Sequence, residues 1–232
     1  MKDGPRRTLV KSVTKPRITL PPHGPGMRIG LLGGSFNPPH DAHRAISLYA
    51  MKRLQLDRVW WIVTPGNPLK DTKELPPLDE RIAACAKLAD HPRIDVTGFE
   101  AVIGSKYTCD TLAWLKNEAP ETLFVWLMGA DNLKDFHRWK NWREIFMLMP
   151  IAVADRGGMS LRAGSGPAAM TFARARIPES KASLLPTLSP PAWVYLHGVK
   201  SDLSSTAIRK ATRDLESDLE GDPARGRERE DG

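Results

Sequence analysis

The chain has 232 residues, 41% hydrophobic and 26% charged, which suits one large domain or two small ones and excludes a wholly disordered, collagenous or coiled-coil protein. No apolar run approaches the roughly 20 residues needed to cross a bilayer, and the N-terminus lacks the apolar block of an export signal, so a soluble, cytoplasmic protein is expected. Thirty-four Lys and Arg against 27 Asp and Glu leave a formal charge of +7, unevenly placed along the chain.

Residues 1–26 carry Lys2, Arg6, Arg7, Lys11, Lys15 and Arg17 against Asp3 alone, and are expected to form a flexible basic arm. Pro5, Pro16, Pro21, Pro22 and Pro25 argue against the amphipathic helix of a mitochondrial presequence. From residue 27 to about 212, short β-branched runs alternate with segments of helical period, the pattern of βαβ units. A single α/β domain with a doubly wound, Rossmann-like parallel sheet follows.

Met27–Leu32 is the first predicted strand, and Asp41–Leu54 a helix with Ala42, Ala45, Ile46, Tyr49 and Ala50 on one face. Arg58–Thr64 is a strand. Leu78–Asp90 is a helix with Ile82, Cys85, Ala86 and Ala89 inward, and strands are expected at Ile94–Thr97 and Phe99–Ile103. Thr108 caps a predicted helix to about Asn117, Thr122–Met128 is apolar enough for a central strand, Asn141–Met149 is a helix, and Ile151–Ala154 a strand. The Gly-, Ser- and Pro-rich stretch 155–191 gives only a weak helix over Ala168–Ala175, followed by a strand at Trp193–Leu196 and a last helix from Ser204 to about Asp214. Residues 213–232, four arginines among eight acids, are expected to be a frayed tail. Cys85 and Cys109, without CxxC spacing, read as buried thiols of a reducing compartment.

The strongest local signal is Gly33-Gly34-Ser35-Phe36-Asn37-Pro38-Pro39-His40 between the first strand and the first helix. There a parallel sheet presents backbone N–H groups to phosphate. The spacing is neither the GxGxxG of dinucleotide binders nor the GxxxxGKS of P-loops. His40 and His43, three apart at a helix start, share a face on which two imidazoles can stabilise a transferring phosphoryl group. They can also be two exposed helix histidines, and no third ligand supports a metal pair. Leu203-Ser204-Ser205-Thr206-Ala207-Ile208-Arg209 offers hydroxyls, N–H groups and a guanidinium fork at another helix start.

GGSFNPPHDAH resembles the GG(T/S)F(D/N)PxHxGH signature of the nucleotidylyltransferase superfamily, departing at Ala42 where Gly is usual, and LSSTAIR resembles its (I/V)SST.IR element. Over about Met27 to Arg209 the chain is most similar to bacterial nicotinate-nucleotide adenylyltransferases. Tyr107-Thr108-Cys109-Asp110-Thr111-Leu112 resembles their YT.DTL, Gly129-Ala130-Asp131-Asn132-Leu133 their GAD(N/S)L, and Trp139-Lys140-Asn141-Trp142 their W(K/R).W.

That resemblance implies transfer of the adenylyl group of ATP to nicotinate mononucleotide, with Mg²⁺ accompanying ATP and no dedicated protein metal site. It implies catalytic roles for His40, His43, Lys70 and Arg209. ATP contacts would come from Gly33, Gly34, Ser35, Phe36, His40, His43, Gly129, Asp131, Ser204, Ser205, Thr206 and Arg209. Mononucleotide contacts would come from Asn37, Lys70, Thr108, Trp139 and Lys140, with Trp139 stacking on the pyridine ring. Each has a plainer reading: Trp139 and Trp142 as helix core, Lys70 as a solvated loop lysine, Asp131 as a cap. Another adenylyl- or cytidylyltransferase, such as one acting on pantetheine phosphate, or a basic RNA-binding protein, is the alternative. The aromatics form no RNA-reading motif, however, so neither nucleic acid nor membrane is an expected partner, and a homo-oligomer is left open.

Overall fold

Strands buried on both faces need near-continuous apolar runs, and this chain supplies them at intervals long enough for a crossover helix. The computed structural model describes residues 18–66, 75–155 and 165–197. Its strands are β1 (Arg28–Gly34), β2 (Arg58–Val63), β3 (Ile94–Thr97), β4 (Leu123–Gly129), β5 (Ile151–Ala154), β6 (Arg176–Ile177) and β7 (Trp193–Leu196). They form one sheet in the order β3-β2-β1-β4-β5-β7-β6, with every neighbouring pair parallel. Growth of the sheet reverses direction between β1 and β4, which makes their carboxyl ends the switch point where ligands bind in such folds. The expected doubly wound α/β sheet is what the chain adopts.

The helices are α1 (Asp41–Leu54), α2 (Leu78–Ala89), α3 (Phe99–Ile103), α4 (Thr108–Glu118), α5 (Ala130–Asp135), α6 (Trp142–Leu148) and α7 (Pro167–Thr171). Strand alternation divides the core in two. Ile29, Leu31, Trp60, Ile62 and Trp126 point to the face covered by α3 to α7, whereas Leu32, Trp61, Val63, Val125 and Leu127 point to α1, α2 and a 3₁₀ segment at Glu179–Thr187. None of the helices among the described residues is long and apolar enough to cross a membrane.

Four features differ from the sequence expectation. Phe99–Ile103, predicted as a strand, is α3, because glycines bracket it: Gly98 stands at its start, and Gly104 at φ 69° ends it by donating to Glu100 O. Residues 130–138 form α5 and a 3₁₀ turn, and β6 with the 3₁₀ segment fills part of the stretch that periodicity left blank. Within α2, Ala86 is exposed and Arg81, not Ala86, is buried.

Residues 18–26 also lie on the domain instead of leaving it. Ile18 and Leu20 pack against the core, Gly26 N–H donates to Glu121 O at 2.9 Å, Thr122 Oγ1 donates to Gly24 O at 3.2 Å, and the His23 ring meets Trp60 edge-on at 6.0 Å. Pro21, Pro22 and Pro25, which read as helix breakers, stand at bends and a turn that need no N–H at those positions. Cys85 and Cys109 are free and buried, and burial pushes their thiols up to about 12 and about 11, with Glu144 adding to the shift at Cys109.

Candidate active site

The carboxyl end of β1 delivers the chain into a turn whose side chains pack on one another. Gly33 has no room for a larger residue: a Cβ there would lie 2.5 Å from the Trp126 ring on β4. At this glycine the missing side chain admits a neighbouring indole, which was not legible from the motif. Phe36 adopts φ 46°, uncommon for a non-glycine residue, while 2% exposed and stacked on Trp61 at 5.2 Å. Its other neighbour is His43, 4.7 Å between ring centroids. The Phe36 side chain is thus a support beneath His43.

His40 occupies the N-cap position of α1, and His43 lies in the first turn. Their rings stack at 3.8 Å, with His40 4% exposed and His43 half-buried. The His40 backbone N–H donates to His43 Nδ1 at 3.2 Å. An accepting Nδ1 is unprotonated, so the proton of neutral His43 sits on Nε2. The sequence alone allowed protonated or merely donating histidines. The hydrogen bond to Nδ1 fits the second form for His43, a ring with Nε2 left to donate at the switch point.

Across the switch, β4 ends in Gly129, buried, and the exposed Asp131 falls in the first turn of α5. The other predicted group assembles around the start of α4. Thr108 is the first helical residue and not the cap; Tyr107 takes the cap position with extended backbone and contributes no side-chain bond to that turn. The loop bearing Trp139 is drawn to this end of α4 by Lys140, whose Nζ is 3.6 Å from Asp110 Oδ2 and 4.0 Å above the Tyr107 ring centroid. Cys109 Sγ, 3.3 Å from Glu144 Oε2, ties α4 to α6.

The two tryptophans of the W(K/R).W element have different surroundings. Trp142 is 9% exposed, set edge-on to Phe172 at 6.0 Å, and is core. Trp139 is half-buried against Phe136 and edge-on to Trp126, at 4.9 and 6.5 Å. Trp126 therefore touches both halves of the site, filling the space over Gly33 on one side and meeting Trp139 on the other. The structure brings His40, His43, Gly33, Gly34, Ser35, Phe36 and Asn37 together in one loop, and Thr108, Trp139 and Lys140 in a second cluster. Lys70, Ser204, Ser205, Thr206 and Arg209 lie outside the described residues.

Sequence reasoning missed Arg81. It is 4% exposed, and its guanidinium donates to three backbone carbonyls: Nε to Pro76 O at 2.9 Å, and Nη1 to Ser35 O and Thr64 O at 2.8 Å each. Burial lowers its pKa from the usual arginine value, but a guanidinium so placed remains protonated at neutral pH. A signal was present: Arg81 stands four and eight positions before Cys85 and Ala89, inside the apolar stripe of α2. Among the described residues no three His, Cys, Asp or Glu side chains are grouped to hold a metal ion.

The chain matches the family model described as cytidylyltransferase-like over residues 31–211. It is 60% identical over 183 residues to a probable nicotinate-nucleotide adenylyltransferase of Bradyrhizobium sp. (strain ORS 278), spanning 79% of this chain and 95% of that one. It is 52% identical over 184 residues to the protein of the same description in Brucella abortus (strain 2308), with the same 79% and 95% coverage. In fold it is similar to the solved Plasmodium falciparum nicotinic acid mononucleotide adenylyltransferase complexed with NaAD, at TM-score 0.60 and 18% identity over 82% of this chain and 89% of that one. With the histidine pair at the switch point and these relatives over most of its length, the chain belongs to the cytidylyltransferase-like family and, within it, to the nicotinate-nucleotide adenylyltransferases.

Proposed function

We infer that this enzyme transfers the adenylyl group of ATP to nicotinate mononucleotide, giving nicotinate adenine dinucleotide and pyrophosphate, a step of NAD biosynthesis. The observation that carries the reading is the shared indole: Trp126 contacts the Gly33 turn and the Trp139 ring at once, so a phosphate-side loop and a flat aromatic surface are neighbours. Such a pair suits two substrates that must meet, one through phosphates and one through an aromatic acid.

In the proposed mechanism a phosphate oxygen of the mononucleotide attacks the α-phosphorus of ATP in line. A new P–O bond forms as the α–β anhydride bond breaks and pyrophosphate departs. No covalent enzyme intermediate is needed, and the protein aligns the two substrates and stabilises developing charge. His43 would donate from Nε2 to an oxygen of the transferring group, with Nδ1 already engaged by the His40 N–H. His40, stacked beneath, would hold that ring in place. Lys70 and Arg209 would add charge from the segments that follow β2 and β7 in sequence, and Ser204, Ser205 and Thr206 hydroxyl and N–H donors.

We assign Gly33, Gly34, Ser35, the Phe36 backbone, Gly129 and Asp131 to ATP. Asn37, Thr108, Trp139 and Lys140 are assigned to the mononucleotide, with the pyridine ring on Trp139 and its carboxylate near the first turn of α4. Mg²⁺ would arrive with ATP as part of the substrate, bound chiefly by phosphate oxygens and water. A cytoplasmic location fits two free, buried cysteines.

The test is incubation of the purified chain with ATP, Mg²⁺ and either nicotinate or nicotinamide mononucleotide, measuring pyrophosphate. Release with the nicotinate form is expected. No release with either acceptor would remove the proposal.

A further inference from the structure

Arg81 is buried beside the β1–α1 turn, and the adenylyl transfer described above makes no use of it. Among the described residues no carboxylate pairs with its guanidinium. A buried cation usually contributes no more stability than an apolar residue of similar size, because desolvation offsets its bonds. What a Met or Leu at this position could not do is directional. Nε donates to Pro76 O at the entry of α2, and Nη1 spans Ser35 O and Thr64 O, each at 2.8 Å.

Those last two carbonyls lie where the pairing of β1 with β2 runs out. Gly34 and Val63 are the final paired residues, and just beyond them Thr64 N–H donates to Gly34 O at 3.0 Å. One residue further Ser35 O has left the ladder, and the Thr64 hydroxyl is engaged with Gly66 O at 3.0 Å. Arg81 Nη1 supplies the N–H groups that the strands no longer provide, and so extends their connection into the β1–α1 turn.

The peptide that Arg81 grips is under strain. Phe36 has φ 46°, a left-handed backbone that a bulky non-glycine residue rarely adopts. Rotation of the Ser35–Phe36 peptide plane changes that φ together with the ψ of Ser35, which gives the turn a simple way to relax. A rotation large enough to bring φ into the favoured negative range also swings Ser35 O off the guanidinium. The bond from Nη1 therefore opposes relaxation, and it is charge-assisted, the stronger kind.

The Ser35–Phe36 bond is trans, so its N–H points to the side opposite its C=O. With Ser35 O held on Arg81, the Phe36 N–H is directed away from the guanidinium. Among the described residues nothing accepts from it. A cation on the carbonyl oxygen also draws density from the amide nitrogen, which makes that N–H a better donor. A fixed and polarised donor in the turn that leads into His40 and His43 suits an anionic phosphate oxygen.

We propose that Arg81 is a positioning residue that holds the Ser35–Phe36 peptide in its strained orientation and so keeps the Phe36 N–H presented to a phosphate oxygen of ATP. The assignment rests on the adenylyltransferase reading given above, in which the Phe36 backbone belongs to ATP. Arg81 itself touches no substrate. Its charge reaches the site through one peptide group.

The experiment uses the full chain with Arg81→Met, of similar size without charge, and Arg81→Lys, whose single ammonium does not span three carbonyls. Each is isotopically labelled at the backbone nitrogens of its six phenylalanines and titrated with ATP and Mg²⁺, without mononucleotide, by nuclear magnetic resonance. The Phe36 signal is identified by its absence from Phe36→Leu. In the unmutated chain it should move on ATP addition. In Arg81→Met the response should be lost, while the other phenylalanine signals keep native dispersion and the melting temperature falls little. Steady-state pyrophosphate release should show kcat lowered by about a hundredfold in Arg81→Met and about tenfold in Arg81→Lys. The Michaelis constant for nicotinate mononucleotide should stay within about threefold of the unmutated value.

An undiminished Phe36 response in Arg81→Met, or turnover within about threefold of normal in either variant, would overturn the proposal. So would a Phe36 signal that ignores ATP in the unmutated chain. Loss of folding in both variants would overturn it too, by making Arg81 a structural tie and nothing more. Failure of the functional reading is told apart from all of these, because the unmutated enzyme would then release no pyrophosphate.

Discussion

The two halves of the site are built by different means. The β1–α1 turn is locked from beneath and behind: Phe36 is pressed between Trp61 and His43, the two histidine rings stack, Gly33 is filled by an indole, and a buried guanidinium holds Ser35 O. The Trp139 loop has core on one side only. On the other, its ties to α4 are a lysine over a tyrosine and a 3.6 Å ion pair whose side chains are 47% and 50% exposed. Exposed pairs of this kind contribute little to stability and weaken with salt. The loop proposed for transition-state charge is thus preorganised, as electrostatic catalysis requires, whereas the one proposed for the pyridine ring can adjust to admit it.

That contrast is most exposed at His43. His43→Ala should lower kcat by on the order of a hundredfold or more with a smaller change in ATP affinity, since a rigidly placed donor matters most in the transition state. Near-normal turnover would make the preorganised loop mere packing.

Trp139→Ala comes next. It should raise the Michaelis constant for nicotinate mononucleotide by about ten- to a hundredfold, leave that for ATP almost unchanged, and preserve the order of acid over amide. A matching loss of ATP binding, or a collapse in melting temperature like that expected of the buried Trp142, would assign Trp139 to the core.

Gly33→Ala links the two halves, because its methyl group would drive Trp126 toward Trp139. A loss of about 1 to 3 kcal/mol in stability is expected from denaturant titration, with mononucleotide binding weakened more than ATP binding. An unchanged midpoint would show that the indole shifts freely and that the halves are not coupled through it. The smallest effect belongs to Lys140→Ala, for which kinetic constants should stay within about threefold at 0.15 M salt and differ more at low salt. A large, salt-independent loss would turn Lys140 from a surface tie into a direct ligand contact.

Legibility followed the same division. The β1–α1 turn could be read because its glycines, prolines and paired histidines are contiguous, and the helix Asp41–Leu54 and the strands Ile94–Thr97, Ile151–Ala154 and Trp193–Leu196 form with the bounds their periodicity indicated. Phe99–Ile103 misled because so short a run, with four of its five residues apolar, satisfies either period, and the glycines at both ends were the better guide. Ile18 and Leu20 were overlooked among prolines, although two apolar side chains and a backbone bond from Gly26 suffice to seat that segment.

By itself the sequence determined the α/β class and the place of the histidine pair between the first strand and the first helix, since both are written in local spacing, while Trp139 became a ring-stacking candidate through the resemblance to the adenylyltransferases. Only the tertiary structure decided that His43 Nδ1 accepts from the His40 N–H, that Trp126 spans the two halves and that Arg81 gathers the carbonyls of Ser35, Thr64 and Pro76. Those outcomes depend on which side chains meet across β1, β2, β4 and the starts of α2 and α4. Burial and hydrogen-bond partnership are properties of such meetings, and local spacing along the chain does not record them.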